Sequence, residues 1–441
     1  MTGQGRNQGS NRLREDVRPK ASELKKRNPH SLDNSQHLTS LEKRYSRVAA
    51  VVAPLALLVI SYPAVAATLS DSRGWLLVAF TATLTPILLA RIDQIIWPTT
   101  FVLVFVGLYA LSAAFTYNRS RGLEHTVAVA STATVLLAFV MYGAAFLSFT
   151  WFRVLLFTLV TVDLLAIAVA ELPKNATASA MVYASAVALV CILRRADTSP
   201  RTAWAVALAF FAFSGSLALI YNVRSLIVYS ALFLIAFVCS MKLRSRTYMF
   251  IGIFASVATI GATLWFFLNI NTSPLAASLS AKIMELSGHR ANSGRDFLWP
   301  YILRAAKENP LFGLGAAALP RDFLTTQLSA HNYYLQVYLQ VGILGLSVLL
   351  VFLLYLWGIL SRANTAAGRF GSALFLMFVI HNGTEVLMFQ NATLVSVPAW
   401  CAIGIAISIE RNVTRSERND VRRDLSRNDS GTMRQALNSK A

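Results

Sequence analysis

Charge is scarce in the middle of this chain. Asp, Glu, Lys and Arg make up 14% of its 441 residues, against roughly 25% in soluble domains, and residues 48–409 hold only 32 of the 61 charged side chains. An ordinary soluble domain is thereby excluded. Cysteine is scarce as well: Cys191, Cys239 and Cys401 each lie inside an apolar run with no C-x-x-C pair, which argues against a zinc site or a disulfide scaffold. Acid is outnumbered, 21 Asp and Glu against 40 Lys and Arg, for a net charge of +19. The excess sits on the two ends and on short connections between hydrophobic runs, which is the pattern of a membrane protein and not of a nucleic-acid binder. H-E-x-x-H, heptads and any fixed-period repeat are also missing, so neither a zinc protease nor a solenoid is supported.

What is abundant is apolar length. About 20 helical residues cross a hydrocarbon core, and twelve runs approach or reach that: 48–69, 75–90, 95–115, 126–149, 154–172, 177–193, 202–221, 225–241, 248–268, 333–360, 370–389 and 393–409. With the N-terminus inside, the short inner loops hold ten Lys and Arg (at 91, 153, 194, 195, 201, 242, 244, 246, 362 and 369), and the short outer loops hold five, Arg73, Arg119, Arg121, Lys174 and Arg224. Positive charge favours the cytoplasmic side, so both ends are expected in the cytoplasm.

The expected fold is an all-α integral membrane protein of about twelve transmembrane helices, with a large helical extracytoplasmic loop between spans 9 and 10. Its parts are a basic tail at 1–47, spans 1–9 over 48–268, the loop at 269–332, spans 10–12 over 333–409, and a second basic tail at 410–441. The first tail has eleven basic and five acidic residues, and the last has eight and five. Too little apolar surface is present in either to drive ordering, and anionic headgroups would attract both. Ala64-Val65-Ala66 has the small residues of a signal-peptidase site, but the 47 polar residues before that run are long for a signal peptide.

The loop at 269–332 is far longer than the other outer connections, and long loops of this kind are functional or disordered. Within it, Asp296 to Asn309 reads as a short amphipathic helix, with Asp296 as N-cap, Pro300 in the first turn and Asn309-Pro310 as the stop. Leu298, Trp299, Ile302 and Ala306 form its apolar side, suited to the membrane interface or to simple packing. Gly313-x-Gly315 lacks the preceding strand and third glycine of a dinucleotide fingerprint.

Chemistry-bearing residues gather around this loop. His331 stands where the loop meets span 10, and an imidazole titrates near neutrality and takes a proton from a hydroxyl. Arg224, in a very short outer connection, and Arg295, in the loop, are expected on the same side; a planar guanidinium suits phosphate bidentately. Asn332, Gln336 and Gln340 are spaced by four and share a face, where amides meet protein or a wet cavity. His381 and Glu385 are also four apart, a structural or proton-relay pair on span 11. Asp163 and Glu171 in span 5 carry no assignable role.

Taken together, Ser293-Gly294-Arg295 with Trp299, Asn309 through Gly315, His331-Asn332 with Leu335, and Gly342-x-x-Gly345 resemble the shared region of the O-antigen ligase and polymerase family of bacterial membrane glycan transferases. His381 through Glu385 resembles that family's later motif. The resemblance covers about 220–390, while upstream only the span count and topology agree. It implies transfer of a glycan from an undecaprenyl diphosphate carrier to a glycan or lipid acceptor at the outer face of the bilayer. His331 would be the base, Arg224 and Arg295 would hold the diphosphate, and Asn332, Gln336, Gln340, Trp299, His381 and Glu385 would support them. The chain lacks the D-x-D of metal-dependent nucleotide-sugar transferases, so neither a metal nor a cofactor is expected, and attack opposite the leaving group would invert the anomeric centre. Val223 precedes Arg224 where the family often has Ser, and Gln340 stands where it often has Glu.

Within the family, a ligase moves a finished glycan to a terminal acceptor, whereas a polymerase extends the glycan on its carrier. A transporter of a lipid-linked glycan is the competing class, because twelve spans is also a common transporter count. Transporters, however, often show repeated halves and midplane sites, and this chain has its polar cluster at one face.

Overall fold

In the computed structural model the described residues are 95–438, except 117, 170–173, 196–197, 288–293, 323–328 and 390–392, with a few scattered between 48 and 93. The N-terminal tail, most of the sequence proposed for spans 1 and 2, Ser293 and Glu171 therefore lie outside them, as does the side chain of Asp163. Every regular element among the described residues is helical: α1 (Ile96–Phe115), α2 (Arg119–Phe146), α3 (Thr150–Val169), α4 (Lys174–Ile192), α5 (Pro200–Ile220), α6 (Arg224–Lys242), α7 (Ser245–Asn269), α8 (Pro274–Ser287), α9 (Arg295–Ala306), a 3-10 turn at Pro320–Asp322, α10 (Tyr333–Leu360), α11 (Ala366–His381) and α12 (Thr393–Asn438). Seven of them, α1, α2, α4, α5, α6, α7 and α10, are long and apolar enough to cross a membrane.

The helices sort by how much of their circumference is apolar and covered. Only α11 and α12 are enclosed on all sides: every residue of α11 except Ala366 and Arg369 is buried, and so are residues 395–410 of α12. A helix that is apolar all round belongs inside a bundle. Against this pair pack α2 and α4 on α12, and α6 on α11, with α5 behind α6, α3 beside α4, and α1 bridging α2 to α10. At the other extreme, α7 buries only Tyr248 and Gly252; Gly252 leaves room for the Trp357 indole, whose Nε1 donates to the Met249 carbonyl at 3.0 Å. The segment at 410–438 continues α12 as helix, since extending a helix that packing has already nucleated costs far less than starting one.

Span 10 matches its expected limits but is broken. Gly342 (φ 66, ψ −165) interrupts α10, which strands the backbone groups around it. The segment 310–315 takes their place: Leu314 N donates to Leu339 O at 2.7 Å and Gly315 N to Gln340 O at 3.2 Å, while Ile343 N donates to Pro310 O at 2.8 Å. Irregular backbone at membrane depth survives only when protein satisfies its polar groups in this way. The approach is close enough that a Cβ on Gly342 would stand 2.2 Å from the Leu311 carbonyl oxygen, and one on Gly313 (φ 72) would stand 2.5 Å from the Gln340 carbonyl carbon.

In the loop, α9 begins at Arg295 with Gly294 as N-cap, so Asp296 falls in its first turn and Pro300 lies inside it. The four expected apolar residues are all buried, packed between α7 and α10, with the Trp299 and Phe267 rings 5.0 Å apart. Packing inside the protein, and not immersion in lipid, accounts for that apolar side. The loop also contains α8, for which no cap or period stood out in the sequence.

Candidate active site

His331 lies immediately before α10, with the backbone at φ 45. That left-handed geometry is uncommon for a residue with a Cβ, and its neighbours hold it in place. Trp299 Nε1 donates to the Ala330 carbonyl at 2.8 Å. On the other side, Asn332 caps α10, its Oδ1 accepting from Leu335 N at 3.0 Å and its Nδ2 donating to Gly383 O at 2.8 Å. Tyr333 N reaches across to Asn382 O at 2.9 Å. The start of α10 is thus laced to the connection that follows α11.

That connection carries the partner of His331. Helix α11 ends at His381, with Asn382 as C-cap, so His381 and Glu385 do not share a helix face as their spacing of four suggested. The apolar residues after 385 extend the hydrophobic run, but the chain turns because Thr384 N and Glu385 N both fall back on His381 O at 3.0 Å. Glu385 is thereby aimed at the loop. Its Oε2 lies 3.1 Å from His331 Nδ1, and its Oε1 lies 3.3 Å from an Arg295 terminal nitrogen, which also donates to Thr384 O at 2.9 Å. Burial pushes the Glu385 carboxyl up, but the His331 hydrogen bond, together with the charges of His331 and Arg295, outweighs it and holds the carboxyl below its ordinary value. The group is therefore a carboxylate near neutral pH. Such an oxygen only accepts, so Nδ1 carries the proton of this contact and Nε2 is the ring nitrogen that the carboxylate does not engage.

The remaining residues expected here divide by contact. Arg224 is the first residue of α6, half-buried, with no ion pair or hydrogen bond from its side chain to a described residue. Further along α6, the Tyr229 hydroxyl bonds the Thr384 hydroxyl, which sets the start of α6 beside the Glu385 connection. His381 turns inward, its Nδ1 3.1 Å from the Tyr183 hydroxyl and its ring centroid 4.3 Å from that of Tyr229.

Gln336 and Gln340 point away from His331 and both donate to the Ala318 carbonyl, at 2.9 and 3.1 Å. They anchor the descending loop, so protein meets these amides. Gln340 also accepts from the Tyr109 hydroxyl at 3.0 Å, and its Nε2 is 3.5 Å from His125 Nδ1. Sequence reasoning passed over His125, Tyr109 and the Arg121–Asp322 ion pair at 2.5 Å. The only signal available was a histidine near the start of an apolar run.

Helix-bundle architecture, with seven helices long and apolar enough to cross a membrane and a loop folded onto a broken span, fits a multi-pass membrane protein, and it carries at one end a carboxylate–histidine pair with Arg295 beside it. Residues 207–350 match the family model described as O-antigen ligase. This match, over 144 of 441 residues, supports the resemblance of the motifs to the O-antigen ligase and polymerase family, and with it a ligase- or polymerase-type function in general. Arg224, Arg295 and His331 fall within the matched residues, and Glu385 lies beyond them. No curated protein and no solved structure matches the chain.

Proposed function

We propose that the protein is a membrane glycosyltransferase that moves a glycan from an undecaprenyl diphosphate carrier to an acceptor hydroxyl on the extracytoplasmic side of the bacterial inner membrane, with both chain ends in the cytoplasm. The observation that carries this reading is the 3.1 Å contact between His331 Nδ1 and Glu385 Oε2, in a chain whose 207–350 segment matches O-antigen ligases. His331 Nε2 takes the acceptor proton as the acceptor oxygen bonds to the anomeric carbon. The bond from that carbon to the diphosphate breaks, its electron pair leaves with the phosphate oxygen, and attack from the far side inverts the centre.

Charge accumulating on the leaving diphosphate falls to arginine. Fixed cations aimed at developing charge are the strongest single device of such sites. Arg224 is the first candidate, since it has no carboxylate partner among the described residues, whereas Arg295 already shares Glu385. Under this reading Glu385, Asn332 and Trp299 are positioning residues that fix the imidazole, and the chemistry needs neither metal nor cofactor.

The test is release of undecaprenyl diphosphate from a host-derived lipid-linked glycan by purified protein and its His331→Ala variant, with product masses read alongside. Release that depends on His331 is expected, and product mass then separates ligation from carrier-linked polymerisation. No release by folded protein with any native donor and acceptor would shift the reading to a lipid-linked glycan transporter.

A further inference from the structure

At the end of the bundle opposite His331, the chain forms a polar recess. The geometry follows from α2, which starts at the loop end, where Arg121 pairs with Asp322, and runs 28 residues, about 42 Å at 1.5 Å per residue. Its far end leads into α3, and beside the start of α3 lies a cavity of about 470 Å³ between the α3–α4 pair and the beginning of α5. Arg194, Arg195, Ser199 and Thr202 line its polar side, and Phe157 and Ile192 its apolar side. Both apolar side chains are exposed at the bundle surface.

Two guanidinium groups line this recess, and a third is close enough for its charge to act on Arg194. Arg153 stands one turn before Phe157 on α3, one terminal nitrogen donating to the Thr150 hydroxyl at 2.8 Å and its Nε buried with no partner. Burial and the like charges of Arg153 and Arg195 together pull Arg194 below the ordinary guanidinium value. None of the three has an ion pair with a described residue. Like charges held close together repel, so an anion in the recess lowers the energy of the arrangement.

The hydroxyls add donors of the matching kind. Ser199 caps α5, accepting from Thr202 N at 3.1 Å, and its Oγ is 2.9 Å from Thr202 Oγ1. One proton serves that contact, which leaves the other hydroxyl proton uncommitted at the positive end of a 21-residue helix. An anion with several acceptor oxygens and an attached apolar chain fits both walls.

We infer that this recess binds a phosphate-ester anion, as the headgroup of an anionic phospholipid whose acyl chains lie along Phe157 and Ile192, or as free phosphate. The site is independent of the proposed transferase chemistry, since none of its residues touches His331, Glu385 or the arginines beside them.

The test uses full-length protein, stripped of lipid in detergent, with three probes: a short-chain phosphatidylglycerol, the phosphatidylcholine of equal chain length, and inorganic phosphate. Native mass spectrometry reads retention, and thermal unfolding reads stabilisation. Phosphatidylglycerol retained over phosphatidylcholine identifies a lipid headgroup. Stabilisation by inorganic phosphate, with no preference between the lipids, identifies the soluble source. Either response weakens by about fivefold for each arginine removed in Arg194→Gln and Arg195→Gln. Arg195 is exposed, so its variant keeps the fold even if Arg194→Gln does not. Retention unchanged in Arg195→Gln and in the double variant, or no response to any probe, overturns the inference; binding that survives in the double variant belongs to the basic tails.

Discussion

Glu385 and His331 are 54 residues apart in sequence and 3.1 Å apart in space, carboxylate oxygen to Nδ1. Two different helix termini create the contact: α11 stops and turns at His381, and α10 starts after a residue held at φ 45. The proton on Nδ1 is fixed by that carboxylate, and the ring can present its other nitrogen to a substrate.

Removing the ring removes the proposed base. His331→Ala is expected to lower transfer by about 10²- to 10⁴-fold, the ordinary contribution of general-base catalysis, with expression and thermal unfolding close to wild type because His331 is only part-buried. Rates from purified protein, set beside melting curves, check both halves.

Glu385→Gln keeps the size of the side chain but exchanges an acceptor oxygen for an amide and removes the charge. Loss of the correct tautomer and orientation is expected to cost on the order of 10²-fold or more in turnover. A purely structural role predicts lost stability with turnover per folded molecule preserved, and the two outcomes separate in a pH–rate profile, whose acidic limb should move only in the first case.

Acid should loosen the same contact. The folded Glu385 carboxyl titrates below its ordinary value of 4.5, so its contribution to stability is complete above that pH and is lost as pH falls through the folded value. Melting temperature in detergent is expected to fall more steeply for wild type than for Glu385→Gln as pH drops below that ordinary value. Parallel curves would remove Glu385 from the account.

Arg224→Ala is expected to weaken donor binding by about 10- to 100-fold, the worth of a charge-assisted hydrogen bond, with Arg224→Lys in between because it keeps the charge without the fork. The reading is a raised KM for the lipid-linked donor at unchanged melting temperature.

Gly342→Ala tests the break in α10. The positive φ alone costs a residue with a Cβ about 1–3 kcal/mol, and the 2.2 Å approach to the Leu311 carbonyl oxygen adds to it. A lower melting temperature is expected, together with faster proteolysis of the 310–315 segment as it lifts off.

Much of this was legible in the sequence, and the legible parts share a cause. Leu298, Trp299, Ile302 and Ala306 repeat with the helix period, and all four are buried; His331 and Arg295 were placed together because topology puts a loop and a span start on one side. What escaped depends on where a helix stops. The apolar run through Phe389 hid the end of α11, so His381 and Glu385 read as a pair, although each found another partner. The contact of Tyr109 with Gln340 joins residues 231 apart, for which no local pattern exists. Gly342 was visible as part of a motif, but a glycine in a helix does not by itself announce a break.

Helix α11 has 16 residues, a rise of about 24 Å, which is some 6 Å less than the hydrocarbon thickness of a bilayer. Lipid does not meet this shortfall, because α11 is wrapped by other helices. The turn that follows α11 is met by protein instead, Asn332 donating to Gly383 O at 2.8 Å and Arg295 to Thr384 O at 2.9 Å. An ion pair held there is screened less by dissolved salt than one nearer the solvent. Raising ionic strength should therefore weaken the Arg121–Asp322 pair before it disturbs the more buried Arg295–Glu385 pair.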